Sequence, residues 1–420
     1  MKVFFDSVGC RLNQAEIELM AAQFRAAGYG IAESVEEADL VIINSCAVTA
    51  AAASDSRQKA RQAYRAGAPE IFLTGCLATL EPEAVMKLPG ITRVFTNDQK
   101  ARIPSLVFGL PEVYELEPIV RKPLPGIHKR TRAFIKAQDG CNNYCTYCIT
   151  RIARGRSVSI DQKIIVSEIH AAEAGGAHEV VLTGVNLGAW GRDLPEKHNL
   201  AWLIRFLLRE TSIERIRLSS TEPWDLDEEF FSLWQDKRMC RHLHLPLQSG
   251  SSAVLHRMVR NTTPEKFYNL VETARRMIPG LAITTDIIVG FPGETESEFE
   301  ESLEFVKKIG FAGGHVFRFS AREGTAAARM PGRLHGRITI ERSRRMRLTL
   351  EDDAQRFATN FIGKELAVLW ETSQQKADGR WLMHGLSDNY LQFQLFSTED
   401  RSNKIDRVVG KKYSNGIITA

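Results

Sequence analysis

The chain has 420 residues, 44% of them hydrophobic and 25% charged, with a formal net charge of +4. This excludes a disordered chain and provides for two or three domains, each with its own core. No run approaches the roughly 20 consecutive apolar residues of a membrane span, and a net charge this small does not by itself establish a nucleic-acid partner. Seven cysteines are an odd number, and the N-terminus lacks a signal-peptide pattern. Together these point to a cytoplasmic protein whose reduced thiols serve metal or catalysis; the sequence gives no oligomeric state, and a monomer is the default expectation.

Residues 1–108 read as alternating strands and helices. The strand-like runs KVFFDSVG, ADLVIINS and EIFLTG are each followed by a helical pattern, which predicts a Rossmann-like parallel sheet with helices on its faces. Each of these runs leads directly into a cysteine: Cys10, Cys46 and Cys76. Groups just past the carboxyl ends of strands in an open α/β sheet converge on one crevice, so three cysteines far apart in sequence can meet. Residues 109–129, with Pro111, Pro118, Pro123, Pro125 and Gly126, read as a linker.

In residues 130–355 the runs RAFIKA, EVVLTG, RIRLSS, HLHLPL, LAITTDIIVG and HVFRFS alternate with helical patterns. Six such units predict a partial (β/α)6 barrel whose working end is the carboxyl end of its strands. Thr295 and Glu298 form a capping box for a helix whose apolar face is Phe299, Leu303 and Val306 and which stops at Gly310. Short alternating runs fill residues 356–420 and read as a small all-β barrel.

Just past the first barrel strand lies DGCNNYCTYCIT, with Cys141, Cys145 and Cys148. Three thiolates on a [4Fe–4S] cluster leave one iron open to a small molecule. A zinc site needs a fourth ligand, and His128 and His170 lack finger-like spacing. Thr183, Asn186, Ser219, Glu222, Gln248 and Asp286 fall at or near barrel strand ends, where ligand contacts belong. Capping and loop hydrogen bonding explain such residues equally well. Asp286 is the sharper case, because a carboxylate within an apolar strand needs a partner or a ligand. Cys240 reads as a buried thiol. Arginines suit single-stranded RNA because they contact phosphate and stack on bases. The candidates are Lys129, Arg130 and Arg132, then Arg151, Arg154 and Arg156 beside the cysteines, the run 333–347 with Arg344 and Arg345, and Lys411 and Lys412. The ordinary reading of the 333–347 run is a solvated helix face.

CNNYCTYC, with Tyr147 before its last cysteine, resembles the CxxxCxxC motif of the radical S-adenosylmethionine superfamily. There the open iron chelates the methionine part of the cofactor, and one electron from the cluster cleaves it to a 5′-deoxyadenosyl radical. GCRLNQAE, NSCAVT, TGCLAT, LHLPLQSG, ITTDIIVGFPGE and the final β-domain extend the resemblance to the methylthiotransferases along nearly the whole chain. This implies a second [4Fe–4S] cluster on Cys10, Cys46 and Cys76, and S-adenosylmethionine in two roles, as methyl donor and radical source. With Tyr147, the strand-end polar residues are the expected cofactor contacts, and an electron donor of flavodoxin or ferredoxin type and a sulfur donor are the expected partners.

The stretches TRAFIKAQDGCNNYCTYCI, ITRIARGRS and RLSSTEPWDL resemble one branch in particular. That branch methylthiolates N6-threonylcarbamoyladenosine at position 37 of tRNA, beside the anticodon, and its last domain is an RNA-binding TRAM module. The chemistry agrees, since C2 of adenine carries a hydrogen that no general base removes at neutral pH. The alternatives are the isopentenyladenosine branch, the branch acting on a ribosomal-protein aspartate, and a zinc-stabilised RNA-binding protein that is not an enzyme.

Overall fold

A computed structural model describes residues 1–109, 124 and 131–420. The linker apart from Gly109 and Leu124, together with His128, Lys129 and Arg130, lies outside the described residues. Among the described residues no helix is long and apolar enough to cross a membrane.

The N-terminal sheet is parallel, in the order Gly30–Ile31, Lys2–Ser7, Leu40–Ser45, Glu70–Gly75, Ile91–Val94. Its side chains divide by the period of two that a strand imposes. Val3, Phe5, Leu40 and Ile42 pack with Ile17, Met20 and Phe24 of the helix Arg11–Ala26. Phe4, Val41 and Ile43 face the other way, onto Ala53, Ala60 and Ala63 of the helix Ala50–Arg65. The strands that lead to Cys10, Cys46 and Cys76 are therefore consecutive neighbours in the sheet. The two outer strands, two and four residues long, carry too little pattern to be read from sequence.

The six expected barrel strands form two parallel half-sheets. One contains Arg132–Lys136, Glu179–Thr183 and Arg215–Leu218; the other contains His242–His244, Ala282–Val289 and Gly313–Arg318. Parallel bridges Ile216 to Met239 and Ser220 to His244 join them into one partial barrel. The helix Glu296–Ile309 has the expected capping box and stops at Gly310 with φ +62°. On the interior side of the first strands, Phe134 and Val181 receive Ala15 of the helix Arg11–Ala26. The N-terminal domain is thus packed directly on the barrel.

The boundary expected at 355/356 falls inside the helix Gly336–Thr359, so the β-domain proper starts at the strand Glu365–Gln375. It is a mixed six-stranded half-barrel whose outermost strands are Ile405–Val409 and Lys412–Ser414. The domain docks on the amino ends of the barrel strands. Arg215 donates to the carbonyl of Ala367 (2.8 Å), Arg241 to Asp388 (2.6 Å) and Arg132 to Glu371 (2.6 Å). Tyr390 stacks on His242 with ring centroids 3.9 Å apart.

At the centre of this junction Arg217, fully buried, binds both oxygens of the fully buried Glu179 (2.6 and 3.2 Å) and the carbonyls of Ser387 and Asp388. Burial raises the Glu179 pKa, but the charge and hydrogen bonds of Arg217, together with the charges of Arg132 and Arg215, outweigh it and bring the value down to about 2. A carboxylate depressed in this way stabilises the fold fully above its unfolded pKa of about 4.5 and loses that contribution as pH falls toward 2. The stability measured by urea unfolding is expected to fall between these values, by on the order of 3 kcal/mol more in the wild type than in Glu179→Gln.

Candidate functional site

Two cysteine trios occupy the carboxyl ends of two adjoining parallel sheets. Cys46 and Cys76 are buried and Cys10 is exposed. Backbone shape brings their loops together. A side chain on Gly9, at φ +98°, would lie 2.6 Å from both Cβ and Sγ of Cys46; one on Gly75, at φ +96°, would lie 2.4 Å from the carbonyl of Ser45. Only glycine provides both the left-handed backbone and the missing Cβ that these approaches need. The thiols act electrostatically on one another, Cys10 and Cys76 both on Cys46, and burial pushes Cys46 up to about 11.

Two asparagines not picked out in the sequence support this trio. Asn13, fully buried, donates to the carbonyls of Val8 (2.7 Å) and Ser45 (3.1 Å), and its Oδ1 lies 3.7 Å from Cys10 Sγ. Asn97 donates to Cys76 Sγ (3.7 Å) and to the carbonyl of Ala153 (2.7 Å). Helical periodicity places Asn13 on a helix but does not name its partners, and the roles of both asparagines arise only when the sheet assembles.

The contiguous trio lies on a loop tied down by Thr146, whose backbone N–H and hydroxyl bond the carbonyls of Met258 (3.1 Å) and Arg257 (3.0 Å). Cys141 Sγ accepts from the Asn143 N–H (3.4 Å), and Cys145 Sγ lies 3.8 Å from Arg260 Nη1. Burial raises Cys141 to about 11. Tyr147 packs into a small core with Val254, Met258, Phe291 and Ala327.

The strand-end polar residues separate into distinct environments. Thr183 bonds the carbonyl of Ile135 (3.1 Å), and Ser219 Oγ accepts from the Gly184 N–H (3.3 Å); both are buried supports. Glu222 is engaged by Arg260 (2.9 and 2.6 Å) and thereby reaches Cys145. Asn186 and Asp286 each have a buried side-chain oxygen without a partner. The other oxygen of Asp286 lies 3.3 Å from His244 Nε2. Gln248 holds φ +70°, a conformation costing about 1–2 kcal/mol for an L residue; its backbone is fixed by bonds to the carbonyl of Asp286 and the N–H of Ile288, both 2.8 Å. Gln248 and Asp286 line a cavity of about 170 Å³ with Tyr147, Cys148, Phe317 and Arg318. Val48 and Thr49, just past Cys46, form part of the same lining. One cavity therefore touches both cysteine loops.

The arginines expected to face RNA divide similarly. The Arg154 side chain is only 2% exposed and bound to Glu16 and Asp139, so burial withdraws it from any RNA surface. Arg344 pairs with Glu341 on its own solvated helix face, whereas Arg345 is committed to Glu296 and Glu300 of the neighbouring helix Glu296–Ile309. Arg132 is committed to Glu371. Arg151 stacks over Tyr144 at 3.9 Å from the ring centroid. Arg156, Lys411 and Lys412 are exposed. Cys240 is buried near Glu179 (3.8 Å), and burial pushes it up to about 12.

Both trios suit iron–sulfur clusters. Each offers three thiols, and Cys76, Cys141 and Cys145 face amide or guanidinium donors, one of the means by which proteins tune such clusters. Among the described residues no three His, Cys, Asp or Glu side chains close on a single ion-sized point. A cubane makes no such demand, since each thiolate takes its own iron. The partnerless oxygens of Asn186 and Asp286 at the barrel's open end suit a polar cofactor.

The comparisons with known proteins agree with this arrangement. Residues 135–306 match the radical SAM superfamily, and residues 2–96 match a family described as "Uncharacterized protein family UPF0004". The Bacillus subtilis threonylcarbamoyladenosine tRNA methylthiotransferase MtaB is 34% identical, aligned over 99% of this chain and 95% of its own length. The tRNA-2-methylthio-N(6)-dimethylallyladenosine synthase of Caldicellulosiruptor saccharolyticus is 35% identical over 86% of this chain and 80% of its own length. Among solved structures, the radical S-adenosylmethionine methyltransferase TsrM of Kitasatospora setae superposes with a TM-score of 0.55 at 15% identity, covering 75% of this chain and 72% of TsrM, a likeness of fold alone.

The chain belongs to the radical S-adenosylmethionine methylthiotransferase family. It is accordingly an enzyme that uses S-adenosylmethionine and [4Fe–4S] clusters to transfer a methylthio group, which sets aside the zinc-stabilised binding protein.

Replacing Arg260 by Met would leave the Glu222 carboxylate without its counter-charge beside Cys145. The expected cost in urea unfolding is about 3 kcal/mol.

Proposed function

We propose that this enzyme converts N6-threonylcarbamoyladenosine at position 37 of tRNA to its 2-methylthio derivative. The carrying observation is the single cavity lined by Cys148 on one side and by the loop following Cys46 on the other, which brings a bound base within reach of both cysteine trios. Full-length similarity to the B. subtilis threonylcarbamoyladenosine enzyme supports this substrate. Relatives named for dimethylallyladenosine are 32–36% identical and cover 77–90% of the chain, against 99% for the B. subtilis enzyme, so the isopentenyladenosine branch is the second reading.

Cys141, Cys145 and Cys148 hold the cluster that meets S-adenosylmethionine; Cys10, Cys46 and Cys76 hold the second. When bound, these groups supply the carbon-centred radical and the methylthio group that no side chain can provide. The chain's own residues position the reactants. Asp286, Gln248 and Asn186 offer polar contacts at the barrel's open end, Tyr147 packs the loop that carries the contiguous trio, and Phe317 provides an apolar wall. Arg151, Arg156, Lys411 and Lys412 are the remaining candidates for the anticodon loop. The electron donor is of flavodoxin or ferredoxin type, and a separate sulfur donor replenishes the second site.

Nucleoside mass spectrometry of tRNA from a strain lacking this gene, with and without the gene restored, tests the substrate. Loss and recovery of 2-methylthio-threonylcarbamoyladenosine is expected. Loss of the isopentenyl product instead would select the second reading, and unchanged tRNA would overturn both. Cys145→Ala is expected to abolish both 5′-deoxyadenosine and product. Cys46→Ala should retain 5′-deoxyadenosine formation and lose thiomethylation; persistence of the thiomethylated product would refute the division of labour between the trios.

A further inference from the structure

The helix Thr150–Arg154 begins two residues past Cys148 and ends against the other trio. The carbonyl of Ala153 accepts from Asn97 Nδ2 (2.7 Å), the group that also donates to Cys76 Sγ. Arg154 Nη2 donates to Asn13 Oδ1 (2.5 Å), the atom facing Cys10 Sγ. Arg154 Nη1 binds Glu16 (3.1 Å) and Asp139 (2.9 Å). Glu16 also binds Lys100 (2.5 Å) and Lys136 (3.0 Å), and Lys136 binds Asp139 (2.6 Å). This cluster contains three cations, Lys100, Lys136 and Arg154, against two carboxylates, Glu16 and Asp139, an excess of one positive charge. Arg154 is the cation whose charge acts on Cys10, Cys46 and Cys76 alike.

We propose that Arg154 is a positioning residue that joins the two cysteine sites. It anchors Asn13 beneath Cys10 and gives the ion-pair network beside the strand-end trio its one positive charge in excess, raising the reduction potential of the cluster held there. The proposal rests on the assignment of that cluster made above. A guanidinium does not lose its proton in a protein, and in a low-dielectric setting a fixed cation favours the more negative, reduced state of a nearby cluster. A purely structural salt bridge would alter stability and leave the potential where it was.

The test uses the full chain with Cys141, Cys145 and Cys148 replaced by Ala, so that only the strand-end cluster remains, followed by redox titration monitored by electron paramagnetic resonance. In that background Arg154→Gln, which brings the charges of the network to two against two, is expected to shift the midpoint potential to more negative values. Arg154→Lys, which keeps the charge, is expected to stay at the starting potential. A folded, iron-replete Arg154→Gln chain with an unmoved midpoint overturns the proposal, as does a negative shift in Arg154→Lys, the variant that decides the matter if Arg154→Gln does not fold. A triple-alanine chain that binds no iron overturns the cluster assignment itself and this inference with it. None of these readouts involves tRNA, so failure of the substrate assignment is seen separately in the nucleoside measurement.

Discussion

The Glu16 carboxylate is the point on which the placement of the two cysteine trios relative to each other depends. It sits on the helix that starts directly after Cys10, and its partners come from both domains: Lys100 and Asn44 from the N-terminal domain, Lys136 and Arg154 from the barrel. Burial alone would raise its pKa; Arg154, Lys100 and Lys136 together hold it well below the ordinary carboxylate range. Desolvating such a group is costly unless its counter-charges are in place. A carboxylate shared in this way therefore permits few relative placements of the two domains. Arg154 and Lys136 lie on either side of the contiguous trio in sequence, so the placement that satisfies Glu16 also sets one cysteine trio against the other.

A second buried ion pair does comparable work at the opposite end of the barrel. Glu179 and Arg217 sit among interior-facing positions, and Arg217 uses its remaining donors on carbonyls of the turn at Ser387 and Asp388. Tyr390, held at φ +67°, stacks on His242 and accepts from Arg11 (2.6 Å). The β-domain thus covers the amino ends of the strands, while the cysteines and the cavity occupy the carboxyl ends. Arg11 follows Cys10 in sequence and reaches this junction, so all three domains contact one another through a few desolvated charges.

Much of this was legible in the residues. The alternation of apolar runs revealed the parallel sheet and the six barrel strands, because strand and helix periods are local properties. The capping box at Thr295 and the stop at Gly310 were legible for the same reason. The half-barrel curvature of the β-domain and the long helix crossing its expected boundary were not, since neither leaves a short-range signature. Arg154 shows the limit most plainly. In sequence it belongs with Arg151 and Arg156 as a basic run beside a reactive loop, and nothing local distinguishes the one that folds inward.

The sequence by itself determined the chemistry: two sets of three thiols, the strand ends that carry them, and the family that their motifs indicate. These depend on residue identity and spacing along the chain. Only the tertiary structure decided which polar groups support the thiols, as Asn13, Asn97 and Arg260 do, and which charged groups are taken up by one another. The physical reason is that hydrogen bonds and ion pairs form between side chains separated by tens to hundreds of residues, and their partners, hence their burial and effect, exist only after the chain has folded.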